Sequence, residues 1–224
     1  MAPPRQLPLE LQLKPSLGRE DFFVGPSNEQ ALEMIDLWPD WPERLLVLAG
    51  PEGSGKTHLA HIWAATAGAL ILPARALGEH APDDIARQNA VVLEDADRDV
   101  DEARLFHLIN RIREDGDSLL LTARTAPDHW GIRTPDLLSR LRLAPLAAIA
   151  TPDDFLIRAL MVKHFLDRQL VVDTSVVEFL LPRIERSFAG VARIVAALDC
   201  EALARGRRIT RAIAAEVLAE QTAD

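Results

Sequence analysis

Gly50-Pro51-Glu52-Gly53-Ser54-Gly55-Lys56-Thr57 fits the pattern G-x-x-x-x-G-K-[ST]. The chemistry open to such a segment is phosphate binding. Glycines at Gly50, Gly53 and Gly55 let backbone N–H groups, with that of Ser54, curl around a β-phosphate. A helix N-terminus placed after them adds partial positive charge. Lys56 is suited to reach the β- and γ-phosphates, and Thr57 to ligate Mg²⁺. A second acidic element is Val91-Val92-Leu93-Glu94-Asp95. An apolar strand that ends in carboxylates can bring them beside a phosphate loop, where a metal ion and an attacking water belong. The usual order is Asp followed by Asp or Glu. Here either Glu94 orders the metal's water shell with its longer arm, or Asp95 does so and the activating acid is missing. Both readings predict weak intrinsic hydrolysis.

These residues need a scaffold, and the apolar pattern supplies one. Strand-like runs fall at Leu45–Ala49, Ala69–Leu72, Ala90–Leu93, Ser118–Thr122 and Leu146–Ala150. Amphipathic helical spacing alternates with them, as in Leu59, Ile62, Trp63 and Thr66, and again in Leu105, Leu108, Ile109 and Ile112. Buried runs alternating with helices predict an α/β fold with a five-stranded parallel sheet covered on both faces. From Thr151 onward only helices are predicted, over 152–168, 174–185, 188–205 and 210–221. Thr151-Pro152 reads as an N-cap with proline at N1, and Asp173, Thr174 and Thr210 as further caps. The expected organisation is an extended tail over 1–20, set by Pro3, Pro4, Pro8 and Pro15, an α/β domain over 21–150 and a small helical lid over 151–224.

Composition bounds the function classes. The 224 residues are 48% hydrophobic with a formal charge of −9. A chain of this size buries about 70% of its surface, enough for a core without staples. The single cysteine, Cys200, excludes an internal disulfide and a multi-cysteine metal site, and is expected in the lid core. His58 and His61 are expected on a helix surface, and Trp38 and Trp41 in a packed loop. Apolar runs such as Leu143–Ala150 are far short of the ~18 residues a membrane span needs. The N-terminus has no continuous apolar signal region, so a soluble cytoplasmic protein with no membrane partner is expected. The net acidity argues against broad nucleic-acid coating.

The motifs resemble a known family. Asp21-Phe22-Phe23-Val24-Gly25-Pro26-Ser27-Asn28 resembles the box that precedes the phosphate loop in the bacterial AAA+ replication initiator DnaA. Phe106-His107-Leu108-Ile109-Asn110 and the run Leu119–Thr122 resemble its next helix and sensor 1 strand, and Leu137-Leu138-Ser139-Arg140-Leu141 resembles its arginine-finger box. The likeness runs over about residues 20 to 221. After the lid no room is expected for the initiator's helix-turn-helix domain, and the chain is similar to the short regulatory homologues of DnaA, the Hda family. That resemblance implies an AAA+ fold, adenine contacts from Phe23 and Val24, and ADP or ATP with Mg²⁺ as ligands. It implies Thr122 as sensor 1 and Arg140 as an arginine finger acting in trans, a better match than Arg142. Sensor 2 falls on Arg193, or on Ala192 in another alignment. Gln6-Leu7-Pro8-Leu9-Glu10-Leu11 resembles the family's Q-L-x-L-x-L peptide for the DNA polymerase sliding clamp, with Gln6, Leu7, Leu9 and Leu11 in contact.

The implied function is binding to the clamp and stimulation of ATP hydrolysis on DnaA, a brake on chromosome replication initiation. A homo-oligomer is compatible with this. Two departures bear on it. The link between Leu72 and Ala90 is shorter than the initiator's single-strand-binding insertion, so little direct DNA contact is expected, and Arg124 stands near a place often acidic. The rival reading is an autonomous ATPase such as a helicase loader. A small phosphate-loop kinase fits less well, because of the helical lid and Arg140.

Overall fold

The computed structural model describes residues 17–79, 85 and 88–221. The chain divides into two compact units, 17–151 and 152–224, and each is taken by itself.

In the first unit, five parallel strands form the expected sheet: β1 (Leu45–Ala49), β2 (Leu70–Pro73), β3 (Ala90–Glu94), β4 (Ser118–Ala123) and β5 (Leu146–Ala148). Their order is β2-β3-β4-β1-β5, so β4 lies between the strand that feeds the phosphate loop and the strand that ends in acids. Continuous aliphatic runs suit strands with a helix layer on each face. Alternate residues of the same strand serve opposite layers. Val47, Val91, Leu93, Leu119 and Leu121 pack with Leu105, Ile109 and Ile112 of α3 (Glu102–Asp115) and with Leu137 and Leu141 of α4 (Pro135–Leu143). Leu46, Leu48, Val92 and Leu120 pack with Ala31 and Ile35 of α1 (Glu29–Asp36) and with Leu59, Ile62 and Trp63 of α2 (Lys56–Ala67). Each such leucine or isoleucine contributes about 1.5–3 kcal/mol by leaving water.

Trp63 anchors the second layer. Trp41 stacks on it at 5.0 Å and Trp38 meets it edge-on at 6.3 Å. The indole N–H groups of Trp38 and Trp41 donate to Ser118 Oγ and Met34 O, so these two tryptophans hold the loop before β1 against the sheet.

The second unit holds α5 (Asp154–Asp167), α6 (Thr174–Leu180), α7 (Phe188–Arg205) and α8 (Arg211–Gln221). The cap of α5 is Asp153, whose carboxylate accepts from Leu156 N at 2.7 Å. Thr151 and Pro152 therefore precede the helix, which starts later than the sequence pattern suggested. Asp173 caps α6 through Ser175 N at 2.8 Å. The helix expected to reach residue 185 stops at Leu180, because Pro182 has no N–H to continue it. Cys200 is exposed. The inward face of α7 is Val191, Ile194, Val195, Leu198 and Ala202, and position 200 falls off that stripe. No helix among the described residues is long and apolar enough to cross a membrane.

Candidate phosphate-binding site

The site is assembled at one end of the sheet. β1 delivers the chain at Ala49, and Gly50 N donates to Ala123 O at the end of β4 (3.1 Å). A side chain at Gly50 would meet Ile149 O and Ser54 Oγ, each at 2.8 Å, so only glycine lets the loop leave the sheet here. Gly53 (φ 68°) and Gly55 (φ 97°) take left-handed conformations and curl the loop into the start of α2. The first turn of α2 carries no side-chain cap. Its N–H groups therefore remain for an external acceptor. Ser54 Oγ is buried without a partner, and Thr57 is exposed at the second position of the helix.

Lys56 is buried and its ammonium donates to Gly50 O (2.7 Å) and Pro51 O (2.8 Å). Burial pushes its pKa below the ordinary lysine value, while Asp95, Asp97 and Glu52 pull the other way. The acids that follow β3 are thus within electrostatic reach of the loop lysine.

Glu94 is the last residue of β3, and its Oε1 is buried with no hydrogen-bond partner. Asp95 turns the chain in a left-handed conformation (φ 56°). Thr122, 2% exposed on β4, holds this turn from the neighbouring strand. Its Oγ1 accepts from Asp95 N at 3.1 Å and its carbonyl accepts from Ala96 N at 2.8 Å. Glu94, Asp95 and Thr122 are therefore brought together. Arg124 pairs with the buried carboxylate of Asp97 at 2.9 Å, which gives the unusual arginine a local acid.

The segment before α1 is ordered by Asn28, which is 1% exposed. Its Oδ1 accepts from Gly25 N and its Nδ2 donates to Phe23 O, both at 2.8 Å. Phe22 is buried against the His58 ring, Phe23 is half-buried, and Val24 is 47% exposed. His58 Nε2 also bonds Gly18 O at 2.8 Å. Asn28 was not singled out in the sequence for this role; an asparagine three residues after a glycine and ahead of a helix is the signal that could have found it.

Arg140 lies on α4 with its guanidinium over the Phe106 ring, 5.2 Å from the centroid. Its neighbours are neutralised: Arg142 pairs with Asp128 and Arg113 with Glu43. Among the described residues no carboxylate pairs with Arg140. A further residue that the sequence pattern did not reveal is Glu102. Its carboxylate accepts from Arg133 N (3.0 Å) and Thr134 N (2.9 Å) at the start of α4, and so fixes the helix that carries Arg140. In the second unit Arg193 pairs with Glu185 on the surface. Gln6, Leu7, Leu9 and Leu11 lie outside the described residues.

A nucleotide and its cation suit these donors differently. Unpartnered Ser54 Oγ, the helix N-terminus and Lys56 match a polyphosphate. Among the described residues no three His, Cys, Asp or Glu side chains converge to hold a metal ion. A Mg²⁺ ion would need phosphate or water oxygens besides Thr57 and one of Glu94 or Asp95.

No family model matches the chain. Domain III of the Thermotoga maritima replication initiation protein DnaA superposes with a TM-score of 0.79 at 16% identity, over 92% of this chain and 97% of that one. AMPPCP-bound DnaA from Aquifex aeolicus gives 0.71 at 18% identity, over 87% and 69%. A point mutant of Thermotoga maritima RuvB gives 0.70 at 17% identity, over 90% and 72%. The chain has the AAA+ fold. Sheet order places the candidate phosphate loop beside β4, and β4 beside the acidic turn, so a single central strand touches both halves of the candidate site.

Proposed function

We propose that this AAA+ protein is a DnaA-related regulator of the Hda type. It binds ADP or ATP through residues 50–57, with Thr57 and Glu94 or Asp95 serving Mg²⁺ and Thr122 sensing the phosphate end. Phe23 and Val24 contact the base, and Arg193 of the helical unit serves as sensor 2. Residues 6–11 bind the sliding clamp. Arg140 acts in trans on ATP held by DnaA, and hydrolysis there prevents over-initiation. The bound cation would neutralise phosphate charge; the chain's own residues orient the phosphates and exclude water from the loop.

The observation that carries this reading is the state of Arg140. Three arginines near it or near the acidic turn are matched with acids, and Arg140 alone of that group rests on an aromatic face. A guanidinium kept unpaired is suited to developing phosphoryl charge on another molecule. The match to nearly the whole of a DnaA domain III supports the same family relation. One observation favours an autonomous ATPase instead. The buried, unpartnered Glu94 Oε1 is suited to activate a water in this chain's own site.

Arg140→Ala separates the two readings. In an assay of DnaA-bound ATP with DNA-loaded clamp, the variant should lose stimulation while ADP affinity by calorimetry stays at the wild-type value. Trans arginine fingers contribute ~10³–10⁵ in rate in GTPases, so the loss should be near complete. Full stimulation by the variant overturns the trans role. Lost ADP binding in the variant points to the autonomous enzyme.

A further inference from the structure

In the helical unit, five arginines are matched with acids, Arg158 with Glu178, Arg168 with Asp199, Arg186 with Asp154, Arg193 with Glu185, and Arg205 with both Glu201 and Glu216, while Arg183 and Arg211 lie over the Phe179 ring. Arg207 and Arg208 are different. Both are exposed, and among the described residues neither a carboxylate nor an aromatic ring pairs with either. In a chain of net charge −9, with acids in excess, two adjacent unmatched guanidiniums are a local departure.

They are also held in place. α7 ends at Gly206 in a left-handed conformation, and Arg207 N donates back to Ala202 O at 3.2 Å. This closes the helix end in a defined turn. Ile209, 5% exposed, then pins the chain to the core. The end of α5 is closed in the same manner by Gln169 (φ 57°), with Leu170 N donating to Phe165 O at 2.8 Å. The two closed ends lie side by side and line one groove of about 480 Å³. Val171 and Leu203, 80% and 67% exposed, line it with Arg207 and Arg208. Arg168 is tied to Asp199 at 3.8 Å within the same lining.

We propose that this groove is a docking site for a partner protein segment that carries aliphatic and acidic side chains together. Exposed Val171 and Leu203 supply the apolar contact, and Arg207 and Arg208 supply charge complementarity on a prearranged turn. Nucleic acid fits less well. The lining has no aromatic ring for bases to stack on, aliphatic side chains offer phosphates nothing, and the whole chain repels a polyanion at distance. A second copy of the chain fits less well too, because a two-fold contact through this groove sets the same cations against each other.

The test uses the full chain and a fluorescent helical peptide with leucine at i, i+3, i+4 and i+7 and glutamate at its outward positions. Anisotropy should show binding that weakens with salt. Arg207→Glu/Arg208→Glu and, separately, Val171→Ser/Leu203→Ser should each weaken it at least tenfold. Melting temperature and ADP affinity should stay at wild-type values, since these side chains are exposed and lie in no nucleotide site. A lysine version of the peptide should not bind. The proposal is overturned if the acidic peptide fails to bind, if either double variant binds it as wild type does, or if a single-stranded oligo-dT binds more tightly in an Arg207- and Arg208-dependent manner.

Discussion

Asn28→Ala tests whether the segment before α1 is a built part of the site. Asn28 makes two hydrogen bonds at 2.8 Å, to Gly25 N and Phe23 O, from a position that is 1% exposed. Each bond contributes about 1 kcal/mol, and a buried group left unsatisfied costs about 1–3 kcal/mol. Gly25 is itself buried, so its N–H is the group that suffers. Water can reach the half-buried Phe23 side. The net loss is therefore about 2–4 kcal/mol. In a chain of this length each kcal/mol shifts the melting temperature by about 2–4 °C, which gives a drop of about 5–15 °C. The assay is a thermal melt with and without saturating ADP. A ligand of the folded state raises the melting temperature according to its affinity. If Phe23 and Val24 contact the base, the ADP-induced rise should shrink as well. A drop under about 2 °C refutes the structural part of the reasoning. A large drop with an undiminished ADP-induced rise refutes the contact.

Two other outcomes follow from the turn after β3 and from the start of α4. Asp95→Gly removes the left-handed strain at φ 56° and should raise the melting temperature by the equivalent of about 1 kcal/mol; a fall would mean that the carboxylate, not the backbone, holds the turn. Bonds from Thr134 and Arg133 hold the Glu102 carboxyl below its ordinary pKa of 4.5. Such a group adds stability above its unfolded pKa and loses it as pH falls through the folded one. The advantage of wild type over Glu102→Gln in urea melts should thus be full at neutral pH and vanish progressively below pH 4.5; a gap independent of pH would refute it.

The sheet was legible because its inner strands β1, β3 and β4 are covered on both faces and read as unbroken apolar runs, Leu45–Ala49 being the plainest, whereas the edge strands β2 and β5 are partly exposed. Helix ends were less legible. Thr151 and Asp153 are both cap-competent, and only the bond from Leu156 N decides between them. At α6 the apolar spacing persists beyond Leu181, but Pro182 outweighs it. The phosphate loop was legible as a segment because its glycines and Lys56 are adjacent in sequence. Glu102 and Asn28 were not legible in their roles. Glu102 acts on backbone groups 31 and 32 residues away, which no local period encodes. Asn28 acts through a short turn whose closure depends on Ser27 O accepting from Ala150 N after β5.

Lys56 gives its ammonium hydrogens to Gly50 O and Pro51 O, carbonyls of the loop that it serves. The protein is in this sense a competitor for its own cation. A phosphate entering the loop would not meet a bare charge but an ammonium with two of its three hydrogens already given to carbonyls. Affinity would then measure the lysine–phosphate contact less whatever carbonyl contact is given up for it. Departure is eased by the same carbonyls, which can recapture the ammonium as the phosphate leaves.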